Sequence, residues 1–102
     1  MDITTIPLTR LYRKTGQVLD QVLSEGTLYV TDYYYRSLVL SITPPEHGTP
    51  IELPSAVLRN SVREITQRAR GGGEVFAITR HGRIVAYLWG WKGSYPVESQ
   101  AE

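Results

Sequence analysis

The chain contains no cysteine. Disulfides, thiolate nucleophiles and thiolate metal ligands are therefore excluded. Histidine is almost as scarce: His47 and His81 are the only two, too few for a zinc site unless carboxylates complete it. No apolar run approaches the roughly 20 residues of a membrane-spanning helix. The opening MDITTIPLTR lacks the basic and apolar regions of a signal peptide. No membrane partner and no metal are expected, and a cytoplasmic location is. Net charge is also nearly absent, with eleven Lys and Arg against ten Asp and Glu. A balance of +1 is not that of a strongly basic nucleic-acid binder.

The 102 residues, 41% of them hydrophobic, are enough for one small domain. A chain of this size buries roughly 60–70% of its unfolded surface, so its core needs no staple. The charge is divided unevenly along it. Residues 1–47 hold four Lys and Arg against five Asp and Glu, a balance of −1. Residues 48–102 hold seven against five, a balance of +2.

An internal repeat organises the sequence. At an offset of 47, Pro7 meets Pro54, Leu11 meets Leu58, Val18 meets Ile65, Val22 meets Ala69 and Gly26 meets Gly73. After one inserted residue, Thr31 meets Thr79 and Leu40 meets Leu88. The elements also recur in the same order. Ile3–Ile6 is β-branched and reads as a short strand. Pro7 suits a helix start, where its missing N–H costs little. Over Leu8–Leu23, Leu11, Val18 and Val22 fall within about 40° of one another at 100° per residue, and Thr15 shares that face. Gly26 reads as a stop. Thr27–Thr31 and Ser37–Ile42 form a hairpin, and Pro44–Gly48 is a turn-rich linker. Ile51–Leu53 repeats the short strand. Ser55 is a candidate N-cap for a helix over Ala56–Arg70, with Leu58, Val62, Ile65 and Ala69 as its apolar stripe. Gly71-Gly72-Gly73 ends it, and Glu74–Thr79 with Ile84–Trp89 form the second hairpin.

The expected fold is α+β: two β-α-β-β repeats packed as a single-chain pseudo-dimer. Residues 1–47 are the first repeat and linker, 48–93 the second, and 94–102 a short polar tail. Each unit alone has a marginal core.

The segment LPSAVLRNSVREITQRARGGGEVFAITRHGRIVAYL resembles the N-terminal domain of Phd/YefM-type antitoxins. The marks are a Ser opening a helix, an L-R-N start, a helix ended at Gly, then I-T-R-x-G-x-x-V-A-x-L across a hairpin. Residues 4–41 resemble the pattern more loosely, through T-G-Q-V-L-D-Q-V and Glu25-Gly26. The resemblance implies a two-layer α/β body that binds operator DNA and represses its own operon. It also implies DNA contacts at the arginine of the L-R-N start and at the arginine after I-T, which are Arg59 and Arg80. The first copy has Tyr12 and Asp32 there, so the basic chemistry is not duplicated. Only about ten residues follow the last strand, so the toxin-wrapping extension of the family is expected to be absent, though a toxin or other protein partner stays open.

Arg59, Arg63 and Arg70 fall within about 40° on the second helix at 100° per residue. Such a stripe neutralises phosphates; it equally suits a solvated helix face. Arg68 points elsewhere. Arg80, His81 and Arg83 cluster at the second hairpin tip, as phosphate contacts or as a polar loop in which Gly82 supplies positive φ. Arg10, Arg13 and Lys14 are the first copy's basic cluster; they fit either a replacement for the arginine missing at Tyr12 or the ordinary charge of a helix surface. Tyr33, Tyr34 and Tyr35 cannot all face one core, because strand side chains alternate. They fit packing against the other repeat, a protein contact surface, or base stacking on single strands. Trp89 and Trp91 have the spacing of one sheet face and suit a shared core or interface. No Ser, His and carboxylate set carries a nucleophile motif, and the glycine run follows a helix and precedes a strand, the reverse of a phosphate loop. Neither an enzyme nor a cofactor is expected. The function expected is a sequence-specific double-stranded DNA-binding repressor of antitoxin type. The alternative is a protein-binding or inhibitor module acting through the Tyr-rich hairpin.

Overall fold

A computed structural model describes residues 4–32, 35–46 and 48–91. The elements are β1 (Thr5–Pro7), α1 (Leu8–Arg13), α2 (Thr15–Glu25), β2 (Thr27–Asp32), β3 (Tyr35–Ser41), β4 (Pro50–Pro54), α3 (Ser55–Asn60), α4 (Val62–Gly72), β5 (Val75–Arg80) and β6 (Arg83–Gly90). The strands form one sheet in the order β1-β2-β3-β6-β5-β4. The fold is thus mixed α+β, with a six-stranded sheet and four helices.

Both β1–β2 and β4–β5 are parallel, and the remaining pairs are antiparallel. The register is the same in the two halves of the chain. Leu28 pairs with Leu40 in the first hairpin, and Phe76 with Leu88 in the second. The register shifts between Val30 and Thr31 in one and between Ile78 and Thr79 in the other. The halves meet along β3 and β6, where Leu40 faces Leu88, Val39 faces Trp89 and Ser41 faces Tyr87. The outermost strands are β1 and β4. Pro50 and Pro54 bound β4, where an edge strand tolerates the missing N–H and resists further pairing.

One face of the sheet carries the core. Alternate strand residues, among them Ile6, Leu28, Leu40, Phe76, Ile78 and Leu88, lie in one buried cluster with Leu11, Val18, Leu19, Leu58, Ile65 and Ala69 of the helices. The helical stripes expected from the sequence are the buried ones. Each fully buried Leu contributes roughly 1.5–3 kcal/mol of transfer free energy.

Neither helix is continuous, which corrects the expectation of one helix per half. Lys14 breaks the first at φ −130°, ψ 48°, and Ser61 breaks the second at φ −136°, ψ 34°. The first break directly precedes the weak helix formers Thr15 and Gly16, and the second falls at Ser61, which precedes the β-branched Val62. Thr15 also donates its hydroxyl to the Leu11 carbonyl at 2.7 Å, satisfying an acceptor at the end of α1. Separate short helices turn independently, so Leu8 and Leu19 reach the core as well.

Ser55 is not an N-cap; it opens α3, and Pro54 occupies the cap position without a side-chain bond. Gly26 (φ 94°) and Gly73 (φ 70°) terminate α2 and α4 as expected. The tryptophans do not join the helix-side core. Trp89 alternates with Leu88 and so lies on the opposite sheet face, and the half-buried Trp91 packs edge-on against Tyr29, with ring centroids 5.2 Å apart. Tyr33, Tyr34, His47 and the polar tail 94–102 lie outside the described residues; Tyr35 begins β3.

Candidate nucleic-acid interface

The second hairpin turns tightly through His81 (φ 52°) and Gly82 (φ 80°), the left-handed pair that a two-residue hairpin loop requires. Arg80 and Arg83 face each other across it. Arg83 is exposed. The Arg80 side chain instead folds back to α2. Its Nη1 donates to Asp20 Oδ1 at 2.8 Å and its Nη2 to the Gly16 carbonyl at 2.8 Å.

Arg59 reaches the same place from α3. A Cβ at Gly16 would stand 3.6 Å from Arg80 Nη2 and 3.8 Å from Arg59 Nη2. Two guanidinium groups, from a helix and a strand distant in sequence, thus converge over one glycine. Asp20 neutralises Arg80. Arg59 is exposed and forms no ion pair among the described residues. Two cations at one spot with a single carboxylate leave a local field that favours an added anion.

The break at Ser61 separates Arg59, on α3, from Arg63 and Arg70, on α4. The three are therefore not one helical stripe, which corrects the single-helix placement. Tertiary packing brings them together another way. A cleft of about 490 Å³ is lined by Arg59 and Arg63, and a second of about 370 Å³ by Arg63 and Arg70. Tyr12 of α1 and Gln67 of α4 line both. Glu64 is the carboxylate in the first cleft.

Arg10, Arg13 and Lys14 are exposed in and just after the last turn of α1, where positive charge suits the helix dipole. They line neither cleft. Arg68 is held elsewhere. Its Nη2 and Nε bond both oxygens of Glu74, at 2.6 and 3.0 Å, and its guanidinium lies 5.2 Å from the Phe76 ring centroid. These hydrogen bonds keep the Glu74 carboxyl below its ordinary range.

Sequence reasoning missed Asp20, Gly16 and Gln67 as parts of this surface, and it placed Tyr12 there only as the residue matched to Arg59. Asp20 lies one helical turn beyond Gly16, so their shared face was legible; the partner on β5 was not. Among the described residues no group of three or more His, Asp or Glu is placed to hold a metal, and no helix is long and apolar enough to cross a membrane. In comparison with known proteins, the chain matches no family model, no curated protein and no solved structure. The Phd/YefM resemblance therefore rests on the residues quoted above.

Proposed function

We propose that the chain is a double-stranded DNA-binding transcriptional regulator, a repressor of antitoxin type that acts in the cytoplasm without enzymatic chemistry. The observation that carries this reading is the convergence of Arg59 and Arg80 over Gly16. These are the two positions that the family resemblance assigns to DNA contact. Arg63, Arg70 and Arg83 extend the basic surface, and Arg10, Arg13 and Lys14 add a flanking one. In this reading phosphate contacts position the protein, and they release counterions as they form.

The identical register of the two halves supports a further element of the proposal. The chain is a pseudo-dimer in which two Phd/YefM-like units, 1–47 and 48–93, meet along β3 and β6. A symmetric homodimer reads a palindrome with identical surfaces. Here Arg59 and Arg80 are matched by Tyr12 and Asp32, so the site for one chain is not palindromic and residues 55–84 make most of the contacts.

Selection from a random duplex pool by the purified chain tests the reading. A defined, asymmetric consensus is the expected result. Failure to enrich any duplex at low salt overturns it, and a specific protein partner recovered alongside that failure favours the protein-binding alternative.

A further inference from the structure

We propose that Tyr12 and Arg63 together form a second phosphate-binding point, in which the guanidinium missing at Tyr12 is supplied from the opposite side of the helix–helix contact. The inference rests on the DNA-binding reading and assigns the end of the surface that the sequence left without its arginine.

The repeat register relates the two ends of the surface. A shift of 47 carries Tyr12 onto Arg59, Gly16 onto Arg63 and Asp20 onto Gln67. It also carries the break at Lys14 onto the break at Ser61. At one end, α3 supplies Arg59 and α2 answers with Gly16, whose missing side chain leaves room for the guanidinium groups. At the other end, α1 supplies Tyr12 and α4 answers with Arg63. The large cation and its partner have changed sides, and each end keeps one arginine at the crossing of the helices.

The geometry fits a shared role. Tyr12 is half-buried, with its ring packed against the core, so its position is fixed. Arg63 is exposed and forms no ion pair among the described residues. Both side chains line both clefts, with Gln67 beside them. Where Asp20 holds Arg80 at the first end, the matched residue here is the neutral Gln67. The carboxylates at this end are Asp32, which takes the register position of Arg80, and Glu64, which lines the larger cleft; Arg63 forms no ion pair with Glu64 among the described residues. A tyrosine hydroxyl and a guanidinium both donate to phosphate oxygens, and the arginine supplies the charge that displaces a counterion.

The test compares wild type, Arg59→Ala, Arg63→Ala, Tyr12→Phe, the double transposition Tyr12→Arg with Arg63→Gly, and the control Arg68→Ala. Affinity for the selected duplex is measured against salt concentration, and each variant's thermal midpoint confirms folding. Arg59→Ala and Arg63→Ala are each expected to reduce the log–log salt slope by about one. Tyr12→Phe is expected to weaken binding by about twofold to tenfold without changing the slope, because only a neutral donor is lost. The transposition keeps the wild-type slope, because it moves the charge rather than removing it. Wild-type binding by Arg63→Ala, while Arg59→Ala weakens, overturns this inference and leaves the DNA-binding reading standing. A wild-type chain that binds no duplex overturns both.

Discussion

Arg80 Nη1 donates to Asp20 Oδ1 at 2.8 Å, tying the end of β5 to α2 across sixty positions of sequence. The same guanidinium also closes on the Gly16 carbonyl. The pair sits at the rim, with Arg80 26% and Asp20 68% exposed, so solvent screens most of its attraction. Asp20 holds Arg80 beside Arg59 and occupies one edge of its guanidinium. Asp20→Ala is therefore expected to lower stability by less than about 1 kcal/mol. It is also expected to strengthen duplex binding, by freeing Arg80 for phosphate. Denaturant unfolding and a binding titration of this variant read the two effects separately. Weaker binding at unchanged stability would show that Asp20 positions Arg80 rather than competing for it.

The β3–β6 seam is where the two halves of the chain meet. Leu40 faces Leu88 there, and both are fully buried in the one cluster that includes residues of both halves. Leu40→Ala and Leu88→Ala are each expected to cost about 2–5 kcal/mol. Each should lower a single cooperative unfolding transition rather than split it. Residues 1–47 alone are expected to be unfolded or self-associated by NMR; a stably folded monomer would show that the halves do not need a shared core.

Gly90 marks a close approach of β6 to α4. An added Cβ would stand 2.5 Å from the Ala69 carbonyl oxygen and 3.1 Å from the Arg70 Cα. Both are backbone atoms, so the helix itself must shift. Gly90→Ala is expected to destabilise by about 1–3 kcal/mol. Gly71 provides the contrast, since nothing lies within 4 Å of its added Cβ and it sits within α4. Gly71→Ala is expected to be neutral or to stabilise by up to about 1 kcal/mol. Thermal melts of the two variants should move in opposite senses or differ by several degrees.

Two exposed carboxylates contribute to the acid side of the stability curve. Arg68 holds Glu74 below its ordinary pKa, and hydrogen bonds from Thr4 (2.5 Å) and Gln21 (2.9 Å) do the same for Glu25. A carboxylate with a lowered folded pKa stabilises the fold above its unfolded value, about 4.3 for Glu. That contribution is lost as pH falls through the folded pKa. Melting temperature is thus expected to drop as pH is lowered below the unfolded value, and less steeply in Glu74→Gln. An unchanged acid limb in that variant would show that the Arg68 pair is not coupled to folding.

Much of this fold was legible because it repeats simple periods. Leu58, Val62, Ile65 and Ala69 recur at helical spacing, and all are buried. Gly26 and Gly73 stop the helices where positive φ is needed. The breaks at Lys14 and Ser61 were not legible, because the apolar stripe runs through them and only the packing of short helices on the sheet favours a bend. Leu19, buried but off the stripe, is part of the same omission. The candidate site was legible as residues and not as geometry. Arg59, Arg63 and Arg70 do line one run of clefts, but through Tyr12 and Gln67 rather than along a single helix face. The Arg80–Asp20 pair depends on a contact between the two halves, and no local pattern reports it.

The most direct test of the account is the salt dependence of duplex affinity for wild type, Arg59→Ala, Arg80→Ala and Arg68→Ala. The account predicts steep weakening with salt for wild type and a shallower slope for Arg59→Ala and Arg80→Ala. Arg68→Ala should match wild type, since Arg68 lies away from the Arg59–Arg80 convergence and lines neither cleft. Equal losses in all three variants would contradict a defined site and indicate diffuse charge, and the absence of any duplex binding at low salt would contradict the central claim.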